Sequence, residues 1–196
     1  FLLKKRKDAA FALPLFISAQ VLEVAILLIS ISAFAVKTFD PGTSTSLLWN
    51  LAHIFTWIFA FIFYVISDSL YPFLFFPWLA AGTLIPIPWF IGVAFDLESL
   101  GATILLLIWG VALSGASELA NRFEATRKYN LPILLASLPT FMLAIIDGFI
   151  YETFLGLIAA MSVAFVYSLL HILRTRGWLW AIALFSFIIA YFAFFN

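Results

Sequence analysis

The chain of 196 residues has no cysteine, only two histidines and few charged residues, which make up 10% of it. An average soluble domain carries roughly 25% charged residues. The lack of cysteine excludes a disulfide scaffold. Ten basic residues balance ten acidic ones, so no net charge favours nucleic acid or an anionic surface as a partner. The sequence also lacks a glycine-rich phosphate loop and an H-E-x-x-H pair, and we predict no catalytic residue.

Apolar side chains are what the chain has in abundance. It is 65% hydrophobic and 19% aromatic, and its mean hydropathy is +1.15. A soluble domain of this length cannot bury so much apolar surface, and a disordered chain would be far more polar. The composition therefore predicts a polytopic membrane protein, in which each crossing needs about 20 apolar residues.

Seven apolar segments are long enough to cross a bilayer. None alternates polar and apolar residues, so they predict an all-α bundle of about seven transmembrane helices and not a barrel. We predict one transmembrane helical domain over 1–196, with crossings at about 9–36, 47–66, 72–95, 102–120, 131–150, 153–173 and 178–195. Pro86 and Pro88 predict that the third crossing is kinked or broken, and they form a candidate gate or cavity.

Lysine and arginine concentrate on one side of this predicted bundle. Nine of the ten basic residues precede the first crossing or lie in the connections 67–71 and 121–130 and before Trp178. The opposite side receives Lys37 and several acidic residues, among them Asp96 and Glu152. By the positive-inside rule, we predict a multi-pass protein of the cell membrane with a cytoplasmic N-terminus and an outward C-terminus.

Five polar residues in the crossings form a candidate proton or ion site: Gln20, Glu23, Asn50, His53 and Asp147. An ionisable group in lipid costs about 2.5–3.5 kcal/mol on the insertion scale, so each is a functional hypothesis. The helical rise places Glu23 and His53 in the outer half of the bilayer, where Asp147 could join them. Such a set could pass protons or bind a metal. The alternative is a packed polar cluster held by interhelical hydrogen bonds. Because no helix carries two ligands at metal-binding spacing, we predict no metal site.

The remaining polar residues favour structural roles. Gly110 and Ser114 form a small-x-x-x-small face that predicts close helix packing. Glu118 lies at a helix end, where we expect it to pair with Arg122 or Arg127.

The sequence also bears on possible ligands. His171 lies in the opposite leaflet from His53, so haem is expected only if another chain shares it. The 24 phenylalanines and 7 tryptophans suit contact with lipid or with a quinone tail.

Two families can be set aside on their motifs. The stretch Asn50-Leu-Ala-His53 resembles the seven-helix zinc hydrolases related to adiponectin receptors, but the last crossing has no histidine pair. Microbial rhodopsins need a lysine in the seventh crossing, and this one has none. The predicted topology alone resembles subunit III of the haem-copper oxidases.

Three functions are compatible with these features. The leading hypothesis is a non-catalytic integral subunit of a larger membrane complex, such as a respiratory oxidase or a quinone-linked complex. Such a subunit would bind lipid or quinone and stabilise neighbouring membrane subunits, and its short loops and few polar residues favour this hypothesis. The alternatives are a small-solute or ion permease with an acidic and histidine site, and an intramembrane enzyme that modifies lipid or isoprenoid.

Overall fold

The computed structural model describes residues 9–39 and 47–195, and within them it contains α-helices, a short 3₁₀ helix at Glu124–Thr126 and no strand. Seven segments there are long and apolar enough to cross a membrane. The all-α prediction is confirmed, and the chain is a multi-pass membrane protein. The helices are α1 (Ala9–Phe39), α2 (Leu47–Leu70), α3 (Phe76–Thr83), α4 (Ile87–Ala94), α5 (Ser99–Arg122), α6 (Arg127–Tyr151), α7 (Thr153–Arg174) and α8 (Gly177–Phe195).

The third span, Phe76–Ala94, is broken, as the prolines predict. Helix α3 ends at Thr83, whose hydroxyl donates to the carbonyl of Ala80 at 2.7 Å. Pro86 is the N-cap of α4, and Pro88 lies in its first turn. Backbone N–H groups in a first turn have no partner within the helix, so proline loses nothing there. The two prolines therefore start a new helix instead of bending an old one.

The chain forms two compact units, one ending at Leu84 and the other beginning at Ile85. The first unit contains α1, α2 and α3. The second contains α4 to α8, and its core lies between α6, α7 and α8 around Leu134, Phe141, Tyr167 and Leu179. Ser137 of α6 and the phenol of Tyr167 on α7 are 2.8 Å apart and hydrogen-bonded, which satisfies both buried groups.

Gly110 and Ser114 both lie on the buried side of α5. A Cβ atom at Gly110 would lie 2.5 Å from the ring of Phe141 on α6, closer than real Cβ atoms approach their neighbours. The glycine thus makes room for this aromatic ring between two helices. Ser114 is buried, and its Oγ has no hydrogen-bond partner among the described residues.

Helices α6 and α7 are joined by a single non-helical residue, the extended Glu152. Such a short hairpin brings the last turn of α6 against the first turn of α7. A Cβ atom at Gly148 would lie 2.9 Å from the backbone of Gly156, and one at Gly156 would overlap the ring of Phe149. The tight turn therefore depends on two glycines, one on each helix.

We predict that Gly148→Ala lowers the free energy of unfolding by about 1–3 kcal/mol, because the new methyl group meets backbone atoms that no side-chain rotation can clear. The matched control is Gly115→Ala, since a Cβ atom at Gly115 has no neighbour within 4 Å. Unfolding in mixed micelles, followed by circular dichroism, measures both variants. Equal stability of the two variants would contradict this account of the hairpin.

Candidate functional site

A narrow stripe along α1 faces the other helices of the first unit. Phe16, Gln20, Glu23, Leu27 and Ser30 are buried or half-buried, and the residues between them that the structure describes are mostly exposed. Their spacing alternates between four and three residues, the period with which one helix contacts another along a single seam. Gln20, Glu23 and Ser30 of the first span therefore lie on the side that meets protein, whereas Ser18 and Ser32 are exposed.

Each end of the stripe is hydrogen-bonded to α2. Near one end, Gln20 Nε2 donates to Ser67 Oγ at 2.9 Å. Near the other, Ser30 Oγ lies 2.6 Å from His53 Nδ1 and accepts the indole N–H of Trp57 at 3.2 Å. All three groups are satisfied when Ser30 donates its own proton to Nδ1 of the neutral imidazole.

The predicted residues Glu23, Asn50 and His53 lie along the same pair of helices. Glu23 of α1 is half-buried, and Tyr64 is buried on α2. Asn50 is buried one turn before His53, whose ring contacts the edge of the Trp49 ring at a centroid distance of 4.0 Å. Of these residues, His53 joins α1 to α2 through its hydrogen bond with Ser30, and its contact with Trp49 lies within α2.

Asp147 belongs to the second unit and has its own partner. It lies near the end of α6, where Thr103 Oγ1 of α5 donates to Asp147 Oδ2 at 2.6 Å. It also lines a half-open cavity of about 430 Å³, which Pro88 lines as well, whereas Pro86 does not. Within the described residues, no three His, Asp or Glu side chains are placed to hold a metal ion together.

The rim of this cavity is set by the end of α4. The N–H of Leu97 donates to the carbonyl oxygen of Gly92 at 2.9 Å. The N–H of Asp96 donates to the carbonyl oxygen of Val93 at 3.4 Å. This is the Schellman pattern, which needs a left-handed residue after the helix. Asp96 takes that position with φ 49°, a conformation that aspartate adopts more readily than most residues.

A third polar group, around Arg174, was missed by sequence reasoning. Arg174 Nε donates to Glu118 Oε2 at 2.7 Å, Nη1 to Asn130 Oδ1 at 2.6 Å and Nη2 to Ser117 Oγ at 2.9 Å. Asn130 Nδ2 in turn donates to Asn121 Oδ1 at 2.8 Å. The side chain of Arg174 is only 6% exposed, and its planar fork of donors suits such a multiple contact. The network ties together the ends of α5, α6 and α7.

The expected pairing of Glu118 with Arg122 or Arg127 is therefore wrong. Both of those arginines are exposed, and the carboxylate instead binds an arginine 56 residues further along the chain. The reason is helix geometry: Arg174 is in the last turn of α7, which ends beside the last turn of α5. A signal was available, since Glu118 lies one turn inside the end of its span, where a carboxylate favours a basic partner from a neighbouring helix.

His171 holds the turn between α7 and α8. Its Nδ1 lies 3.0 Å from the carbonyl oxygen of Arg176, and its ring contacts that of Trp180. Thr175 closes α7 in the left-handed conformation, with φ 51°. The two histidines thus lie in different units, each with a hydrogen-bond partner in its own unit, Ser30 for His53 and Arg176 for His171.

No family model, no curated protein and no solved structure matches the chain. The interpretation of these three polar groups therefore rests on their geometry.

We predict that Arg174→Ala destabilises the protein by about 3 kcal/mol, because Glu118 and Asn130 lose their shared partner in a largely buried place. Arg176→Ala is the matched control, since that side chain is exposed two residues away. The unfolding midpoint in detergent measures the difference. An Arg174→Ala protein as stable as the control would show that the network contributes no stability.

Proposed function

We propose that the chain is a non-catalytic integral-membrane subunit of a larger membrane protein complex. One observation carries this proposal: polar side chains of the spans are bonded to one another across helices, as Gln20 is to Ser67, Ser30 to His53 and Thr103 to Asp147. Interhelical hydrogen bonds of this kind fix packing. A side chain engaged in such a bond contributes to assembly, whereas catalysis would need groups presented to a substrate.

The exposure of α1 supports the same proposal. Only 6% of the span Leu13–Ala33 is buried, against 39% of the span formed by α2. Outside its polar stripe, α1 presents apolar side chains such as Leu22 and Ile29, which are 62% and 67% exposed. We propose that this surface contacts helices of a neighbouring subunit, together with lipid or quinone. The topological resemblance to subunit III of the haem-copper oxidases leads us to propose a respiratory complex.

A small-solute or ion permease is the second candidate function. It is favoured by the cavity that Pro88 and Asp147 share in the second unit. Short helices broken at prolines are where transporters commonly bind their substrates. This candidate requires that solute reach the cavity from both sides of the membrane.

We also propose that the protein lies in the cell membrane with its N-terminus in the cytoplasm. In the second unit, the described basic residues lie at one end of the helices: Arg122, Arg127, Lys128, Arg174 and Arg176. Asp96, Glu98, Asp147 and Glu152 lie at the other end. The positive-inside rule assigns the basic end to the cytoplasm.

Co-purification tests the proposed partnership. We expect the native chain, isolated in mild detergent, to bring stoichiometric membrane subunits that mass spectrometry identifies. Ile29→Trp should lose these partners, because it adds bulk to the exposed face of α1, whereas Ile172→Trp should keep them. Ile29 and Ile172 are 67% and 72% exposed, so the two changes are matched. A homogeneous species that contains only this chain would contradict the proposal.

Cysteine labelling tests the orientation, and the chain suits it because it has no native cysteine. Glu152→Cys places a thiol just before α7 and Gly177→Cys places one at the start of α8, beyond the other end of α7, both at exposed positions. We expect a membrane-impermeant maleimide added to intact cells to label the Glu152→Cys variant and to spare the Gly177→Cys variant until the membrane is permeabilised. The opposite pattern would reverse the proposed orientation.

A further inference from the structure

The cavity beside Asp147 has the size and walls of a small-molecule site. Its volume of about 430 Å³ falls within the usual range of such sites, about 300–1,000 Å³. Helices α4, α5 and α6 form it, all within the second unit. Most of its walls are apolar, including Trp89, Leu106 and Ile146. A ligand with an apolar body would bury that body against these side chains.

The charged groups of the cavity are of one sign. Asp96 and Asp147 both line it, and its lining residues include no lysine or arginine. Thr103 binds one carboxylate oxygen of Asp147 and holds the side chain in a fixed place. Two carboxyl groups at an apolar wall favour a cation and disfavour an anion.

The helix ends around the cavity are of both signs. The last turns of α4 and α6 contribute Val93 and Ile150 to the lining, and a helix C-terminus carries partial negative charge. The first turn of α5, where Ala102 lines the wall, contributes partial positive charge. The preference for a cation therefore comes from the two aspartates.

From this combination we propose that the cavity binds an amphipathic primary amine, with its ammonium group between Asp96 and Asp147 and its apolar part against Trp89 and Leu106. Either a free arylalkylamine or the ethanolamine headgroup of a lipid has this chemistry. This binding site is independent of the partners proposed for α1, so failure of one proposal leaves the other standing.

The test uses the full chain in detergent micelles, with 2-phenylethylammonium as the probe and neutral 2-phenylethanol as its matched control. Equilibrium dialysis, corrected for protein-free micelles, should show one saturable site with at least tenfold higher affinity for the amine. Asp147→Asn should weaken amine binding about tenfold, since it removes a charge but keeps an oxygen for Thr103. Asp96→Asn, at an exposed position, should weaken it a few-fold.

Two further measurements make the outcome decisive. Glu152→Gln changes an exposed acid at the same helix ends outside the cavity and should leave amine affinity unchanged. Native mass spectrometry of the chain with equal amounts of phosphatidylethanolamine and phosphatidylglycerol tests the lipid source.

Retention of phosphatidylethanolamine that Asp147→Asn abolishes would support the proposal with a lipid ligand. Amine binding without such retention would support it with a free amine. Should Asp147→Asn fail to fold, Asp96→Asn still tests the site. Equal binding of amine and alcohol without lipid selectivity, or amine and lipid binding unchanged in both variants, would overturn the proposal.

Discussion

Hydrocarbon offers a polar side chain no hydrogen-bonding partner, so a polar group within a membrane span is stabilised when another helix or its own backbone supplies one. In the first unit, this constraint selects which side of α1 faces α2. Gln20, Glu23 and Ser30 lie along a seam one residue wide, and Gln20 and Ser30 bind side chains of α2 at its two ends. The remaining described surface of α1 is mostly apolar, with Ser18 and Ser32 as small polar exceptions.

The same constraint organises the second unit. Thr103 and Asp147 join α5 to α6 near one end of the helices, and Arg174 joins the ends of α5, α6 and α7 near the other. The helices also approach closely at glycines: Gly110 admits an aromatic ring, and Gly148, next to Asp147, meets the backbone at Gly156. Close packing and interhelical hydrogen bonds thus both hold the second unit together. Asp147 both takes part in an interhelical hydrogen bond and lines a cavity, which is why the ligand proposal centres on it.

The sequence was sufficient to predict the spans, because a bilayer imposes a minimum apolar length that few other structures need. It was also sufficient to predict the break in the third span, since Pro86 and Pro88 interrupt a continuous helix. The sequence was insufficient to predict the hydrogen-bond partners of the polar side chains. Ser30 looks unremarkable in an apolar run, and only the antiparallel approach of α1 and α2 brings it to His53. Glu118 and Arg174 are 56 residues apart, and local spacing pointed to nearer arginines that prove to be exposed.

The central claim is that polar residues of the first span serve to pair helices, and a double-mutant cycle tests it most directly. Ser30→Ala, His53→Leu and the double variant are unfolded in mixed micelles, and the coupling free energy is obtained from the four stabilities. The account predicts a coupling of about 0.5–1.5 kcal/mol, the range found for hydrogen bonds between membrane helices. Costs that simply add, with no coupling between Ser30 and His53, would contradict it.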